Sequence, residues 1–160
     1  LGDKYEIKNF GNSGSTMLKK GDKPYWKQKE FKAALEFKPN IVVIKLGTND
    51  TKPQNWKHSA DYYDDYKSMI SMFSSLSSKP KIFICLPVPV VETRWGIKDE
   101  IVNNDIIPTL KKISAQTKCK IIDLNTPFHD KHDLIPDKVH PNAKGATIMA
   151  KEVANSIIKL

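Results

Sequence analysis

Three polar stretches hold residues able to do acid–base and acyl-transfer chemistry. "IPDKVHPNAKG", residues 135–145, sets Asp137 three places before His140. In such a pair the carboxylate fixes the imidazole tautomer through one ring nitrogen and leaves the other free to take a proton. "GTND", residues 47–50, offers Asn49, whose amide can donate to the oxyanion of acyl transfer. "GNSGST", residues 11–16, offers Gly14, where the missing Cβ lets a backbone N–H approach a ligand. A base, its orienter and groups able to form an oxyanion hole make up most of a serine hydrolase site.

These residues need a scaffold that brings them to one place. "YEIKNF" (5–10), "NIVVIKLG" (40–47), "KIFICLPV" (81–88) and "CKIIDL" (119–124) are short runs rich in Ile, Val and Phe, as buried strands are. Between them, Tyr62, Tyr66, Met69, Phe73 and Leu76 recur at helical spacing, as do Ile106, Leu110 and Ile113. Ala143, Ala146, Ala150, Val153, Ala154 and Ile157 repeat the pattern behind Asn142, an expected N-cap. A weaker helix is expected over 26–38, stopping before Pro39. Alternating strands and helices imply right-handed crossovers and an α/β fold with a parallel sheet covered on both faces. Ligands then bind beyond the carboxyl ends of the strands, where all three polar stretches fall.

The chain of 160 residues fits one domain, 1–160, with no repeat or linker inside it. A net charge of +8 raises nucleic acid as a partner, but the lysines are scattered and no basic block is interleaved with aromatics, so no nucleic-acid role is expected. No apolar run reaches membrane-spanning length, and no membrane role is expected. Cys85 and Cys119 are expected to be free and buried.

Gly14, then Gly47 and Asn49 in "GTND", then Asp137 and His140 in "DKVHPN" resemble the SGNH (GDSL) hydrolases, whose name lists Ser, Gly, Asn and His in chain order. The resemblance covers essentially the whole chain and is closest to the carbohydrate esterase branch, including sialate O-acetylesterase-like domains. It implies a three-layer flavodoxin-like fold with strand order 2-1-3-4-5. It also implies oxyanion donation by Gly14 N–H and the Asn49 amide, and an Asp137–His140 dyad. The implied activity is hydrolysis of an ester, chiefly O-acetyl groups on a carbohydrate, without metal or organic cofactor. Similar esterases are commonly secreted or periplasmic. A lipase or lysophospholipase-type esterase is the alternative within the enzyme class, and a non-catalytic glycan-binding module is the alternative outside it.

The family's Gly-Asp-Ser motif, which carries the nucleophile after the first strand, has no counterpart here. "LGDKY" (1–5) and "GDKPY" (21–25) contain Gly-Asp followed by Lys, and neither follows an apolar strand. The resemblance therefore implies that the first strand and its serine are missing from this chain and lie upstream of residue 1. Such a chain alone is expected to be weakly stable or inactive, with residues 5–10 either pairing directly with 40–47 or held by something outside the sequence. Ser13 and Ser15 are poorer nucleophile candidates, since the spacing of "GNSGS" does not match a nucleophile elbow.

Trp56, Arg94 and Trp95 lie in loops on the same expected edge and are candidate substrate-binding residues. An indole there can stack on a sugar or anchor its loop to the core. Arg94, the single arginine, can pair with a substrate carboxylate or form an ion pair with Glu92 or Asp99. His129 and His132 with nearby aspartates invite a metal reading, but a polar loop leading to His140 explains them without one.

Overall fold

Strand and helix formation follow the hydrophobic periodicity closely from residue 29 onward. The computed structural model describes residues 1–159. Its elements run α1 (Lys29–Glu36), β1 (Ile41–Ile44), the short α2 (Pro53–Trp56), α3 (Tyr62–Ser74), β2 (Lys81–Leu86), the single turn α4 (Asp99–Ile101), α5 (Ile107–Thr117), β3 (Lys120–Asp123) and α6 (Ala143–Ile158). Between α4 and α5, residues Val102–Ile106 are wound as a π-helix. The cap at Asn142 forms as its position predicts, with its side-chain oxygen accepting from Gly145 N–H at 3.0 Å.

The three strands are parallel in the order β1-β2-β3, with Val42 opposite Ile82 and Ile84 opposite Ile121. Alternate residues of β2 face opposite layers, as the period of two requires. Ile82, Ile84 and Leu86 join a core with Tyr62, Tyr66, Met69 and Phe73 of α3 and Leu110 and Ile113 of α5. Phe83 and Cys85 join Ile122, Phe128 and Leu134 on the other side, together with Ile157 of α6. The result is the three-layer α/β arrangement expected. Both cysteines are free and buried. No helix among the described residues is long and apolar enough to cross a membrane.

The expected strand at 5–10 does not form: these residues pair with no strand, and all but Phe10 are exposed. Their apolar composition cannot satisfy backbone N–H and C=O groups without a neighbour at pairing distance. Along the far edge of β1, which faces no other strand among the described residues, runs a groove of about 660 Å3. Tyr5–Ser15 forms part of its wall, Ile41–Ile44 another part, and Met69, Phe73, Val153 and Ile157 line it from the two helical layers. Val43 is correspondingly 38% exposed in what is otherwise a sheet core. Of the expected helix at 26–38, only Lys29–Glu36 is α-helical, because Tyr25–Lys27 tightens into a 3-10 turn after Pro24.

Gly47, three residues beyond β1, caps the following 3-10 turn in a conformation only glycine adopts comfortably, with φ +130°, and a Cβ there would lie 2.5 Å from the buried Tyr62 hydroxyl oxygen. Gly47→Ala should therefore lower the unfolding free energy by about 2–4 kcal/mol, from backbone strain plus overpacking, as read from a denaturant midpoint. A midpoint within error of the parent would contradict this packing.

Candidate active site

His140 and Asp137 are assembled locally, before any tertiary contact is counted. One Asp137 oxygen accepts backbone N–H bonds from His140 at 2.6 Å and Val139 at 3.0 Å. The other meets His140 Nδ1 at 2.8 Å. Those donors favour the carboxylate, the His140 N–H foremost, and hold its pKa down at about 2. Asp137 is thus ionised throughout the working range of an enzyme. His140 Nδ1 is engaged by it, and Nε2 has no hydrogen-bond partner among the described residues.

Asn49 lies on the 3-10 turn Thr48–Thr51 that follows Gly47. Its backbone carbonyl accepts from the Asn55 amide at 2.9 Å, while no hydrogen bond among the described residues occupies its own side-chain amide. The next residue, Asp50, is fully buried and accepts from Met17 N–H at 3.0 Å and Leu18 N–H at 2.7 Å. Asp50, which could be mistaken in the sequence for the acid that orients the base, thus ties its loop instead, as a carboxylate accepting backbone N–H bonds does. Through it the segment bearing Gly14 is held beside the turn bearing Asn49. Gly14 has φ +79°, and its N–H donates no hydrogen bond among the described residues.

Gly14, Asn49 and His140 all line the groove that follows the edge of β1, so the three polar stretches meet in one cleft. Ser15 also lines it but is 2% exposed, its hydroxyl donating to Asn12 Oδ1.

The substrate-binding candidates separate. Trp56 packs edge-on against Tyr62 with ring centroids 5.7 Å apart and leans on the α3 core, outside the cleft. Its place is that of a loop anchor. Trp95 and Arg94 do not line the cleft either, but Trp95 is 55% exposed and lies against His140, which does, centroids 5.7 Å apart. Arg94 forms no ion pair with Glu92 or Asp99: Glu92 meets Lys138 at 3.8 Å, and Asp99 accepts from Val90 N–H and the Asn103 amide. The guanidinium instead covers the Trp95 ring at 4.6 Å. His129 Nε2 is bonded to Asn125 Oδ1 at 2.8 Å, and no cluster of three or more potential metal ligands occurs among the described residues.

That Asp50 ties its loop by accepting backbone N–H bonds is the role its place after Asn49 suggests, but which residues donate, like the contact of Trp95 with His140, was not legible in the motifs. A carboxylate following Asn49 does not reveal its partners 32 and 33 residues away.

Residues 1–148 match the GDSL-like lipase/acylhydrolase family. The chain belongs to this family. It is 39% identical over 175 aligned positions to an acetylxylan esterase of Xylanibacter ruminicola, covering 98% of this chain and 36% of that protein. The chain thus spans about a third of the curated relative's length. Among solved structures, a GDSL-like lipase from Bacteroides thetaiotaomicron aligns with a TM-score of 0.67 at 22% identity, over 81% of this chain and 67% of that one. A carbohydrate esterase family 3 protein from Talaromyces cellulolyticus aligns with a TM-score of 0.59 at 23% identity, over 82% and 64%. At these identities the two structures establish the shared fold.

Burial pushes the Asp50 carboxyl up to about 7 despite its two N–H donors, whereas in an unfolded chain it titrates near 4. Between those values the folded chain holds a proton that the unfolded chain has released, so Asp50 makes stability fall as pH rises from about 4 to about 7. Denaturant midpoints across that range should show this slope in the parent and lose it in Asp50→Asn. Parallel profiles for the two proteins would contradict it.

Proposed function

We propose that this domain belongs to a serine esterase that removes acetyl groups from a carbohydrate, its nucleophile delivered by a β-strand seated against β1. The observation carrying this reading is the convergence of Gly14 N–H, the Asn49 amide and the Asp137-oriented His140 on one cleft continuous with the open edge of β1. The serine hydroxyl attacks the acetyl carbonyl as His140 Nε2 takes its proton. The tetrahedral oxyanion is held by Gly14 N–H and Asn49, and the proton passes to the departing sugar oxygen. Water then repeats the sequence on the acetyl-enzyme, releasing acetate and restoring the serine. Acyl transfer by this route needs no metal or organic cofactor.

An acyl-chain site, as in a lipase, would also use an apolar groove. It is the weaker reading, because a hydrocarbon would leave the N–H and C=O groups along the edge of β1 without partners, each a desolvation cost of about 1–3 kcal/mol. A strand satisfies them. The acetylxylan esterase relative supports a small acyl group on a sugar. Nitrophenyl acetate should accordingly be turned over faster than nitrophenyl octanoate, and the reverse order would favour the lipase reading.

In the esterase carrying its serine strand, Asn49→Ala should slow turnover ~100- to 1000-fold, the usual effect of losing one oxyanion donor. Unchanged turnover would remove Asn49 from the mechanism.

A further inference from the structure

The segment between β2 and α4 contains a feature that hydrolysis itself does not require. Arg94–Ile97 forms a tight turn closed by Ile97 N–H to Arg94 C=O at 2.9 Å, with both central residues at positive φ: Trp95 at +53° and Gly96 at +79°. Turns of this kind favour Asn-Gly or Gly-Gly, because a bulky side chain in the left-handed region costs about 1–2 kcal/mol. A tryptophan here is therefore held against local preference. The turn is tied to both halves of the site, by Val91 N–H to Lys138 C=O at 2.9 Å and by Lys98 N–H to Thr51 Oγ1 at 3.1 Å.

This mounting sets an indole, more than half exposed, against His140 and stacks the Arg94 guanidinium on it. Three carboxylates that flank the turn are committed elsewhere: Glu92 to Lys138, Asp99 to Val90 and Asn103, and Asp137 to His140. The guanidinium thus has no carboxylate among the described residues, and stacking fixes the plane of its donor fork, which suits bidentate carboxylate recognition.

We propose that Arg94 and Trp95 form a subsite for an acidic sugar, so that the substrate is an acetylated polysaccharide bearing a uronate beside the acetylated residue. The sugar ring packs on the exposed part of the indole while its carboxylate takes two N–H bonds from Arg94. The overall charge of +8 favours a polyanionic substrate in the same sense. This inference rests on the carbohydrate esterase reading for its position beside the acetyl group, and not for its binding chemistry.

The test compares kcat/KM on acetylated xylo-oligosaccharides with and without a glucuronate branch, for the esterase carrying its serine strand and for its Arg94→Gln and Arg94→Lys variants. Binding of the de-acetylated acidic oligosaccharide is measured on the same proteins by calorimetry. The parent should prefer the acidic substrate ~10- to 100-fold, the usual range for a charge-assisted pair. Arg94→Gln should bring the ratio to about one, and Arg94→Lys should keep a part of it, since charge survives without the fork. Equal rates on both substrates in the parent, or a preference that survives Arg94→Gln, would overturn the proposal. If no ester is hydrolysed, Arg94-dependent binding of the acidic oligosaccharide still supports the subsite while the esterase reading fails. Binding that is absent or indifferent to Arg94 overturns the subsite.

Discussion

The site depends on one buried carboxylate. Asp50 has no exposed surface and spends its oxygens on the N–H groups of Met17 and Leu18, drawing the segment of Gly14 onto the turn of Asn49. The Asn55 amide reinforces the same junction, donating to Asn49 C=O at 2.9 Å and to Asp22 Oδ1 at 3.1 Å, while its oxygen accepts from Asp22 N–H at 2.7 Å. Two loops far apart in sequence are thereby fixed without a strand between them. The raised pKa of Asp50 expresses the cost of burying that charge, and the placing of the Gly14 segment beside Asn49 is what it secures.

The two halves of the site are built on different principles. The Asp137–His140 half is local: one carboxylate three residues away sets the backbone and the ring together, so its geometry travels with the segment that leads into α6. The Gly14–Asn49 half is tertiary and sits at the end of a strand whose outer edge is open. Polar backbone groups and apolar walls from both helical layers give that edge the character of a strand seat rather than of a small-molecule pocket. Asn49 and His140 both line the cleft that follows this edge.

How much could be read in advance followed how local each determinant is. The buried face of α3, the alternation in β2 and the Asn142 cap depend on neighbours within a few residues, and they formed where the pattern set them. The Asp137–His140 pair was legible for the same reason. Residues 5–10 carry the composition of a strand, yet a strand exists only with a partner, and composition does not supply one. Likewise nothing in "VETRWGIK" announces a left-handed Trp95, since Trp-Gly lacks the usual turn signature; only the contacts with His140 and Arg94 account for its position. Trp56 and Trp95 looked alike as loop tryptophans, and the structure separates them by what each touches, Tyr62 in one case and His140 in the other.

The central claim is that the nucleophile reaches His140 on a strand laid along β1. A fluorophosphonate probe, which bonds covalently to an activated serine, tests it most directly when the active esterase is labelled, digested and the modified residue located by mass spectrometry. The account predicts a single labelled serine outside residues 1–160, with labelling abolished by His140→Ala. Modification of Ser13 or Ser15, or ester turnover with no serine labelled at all, would contradict it.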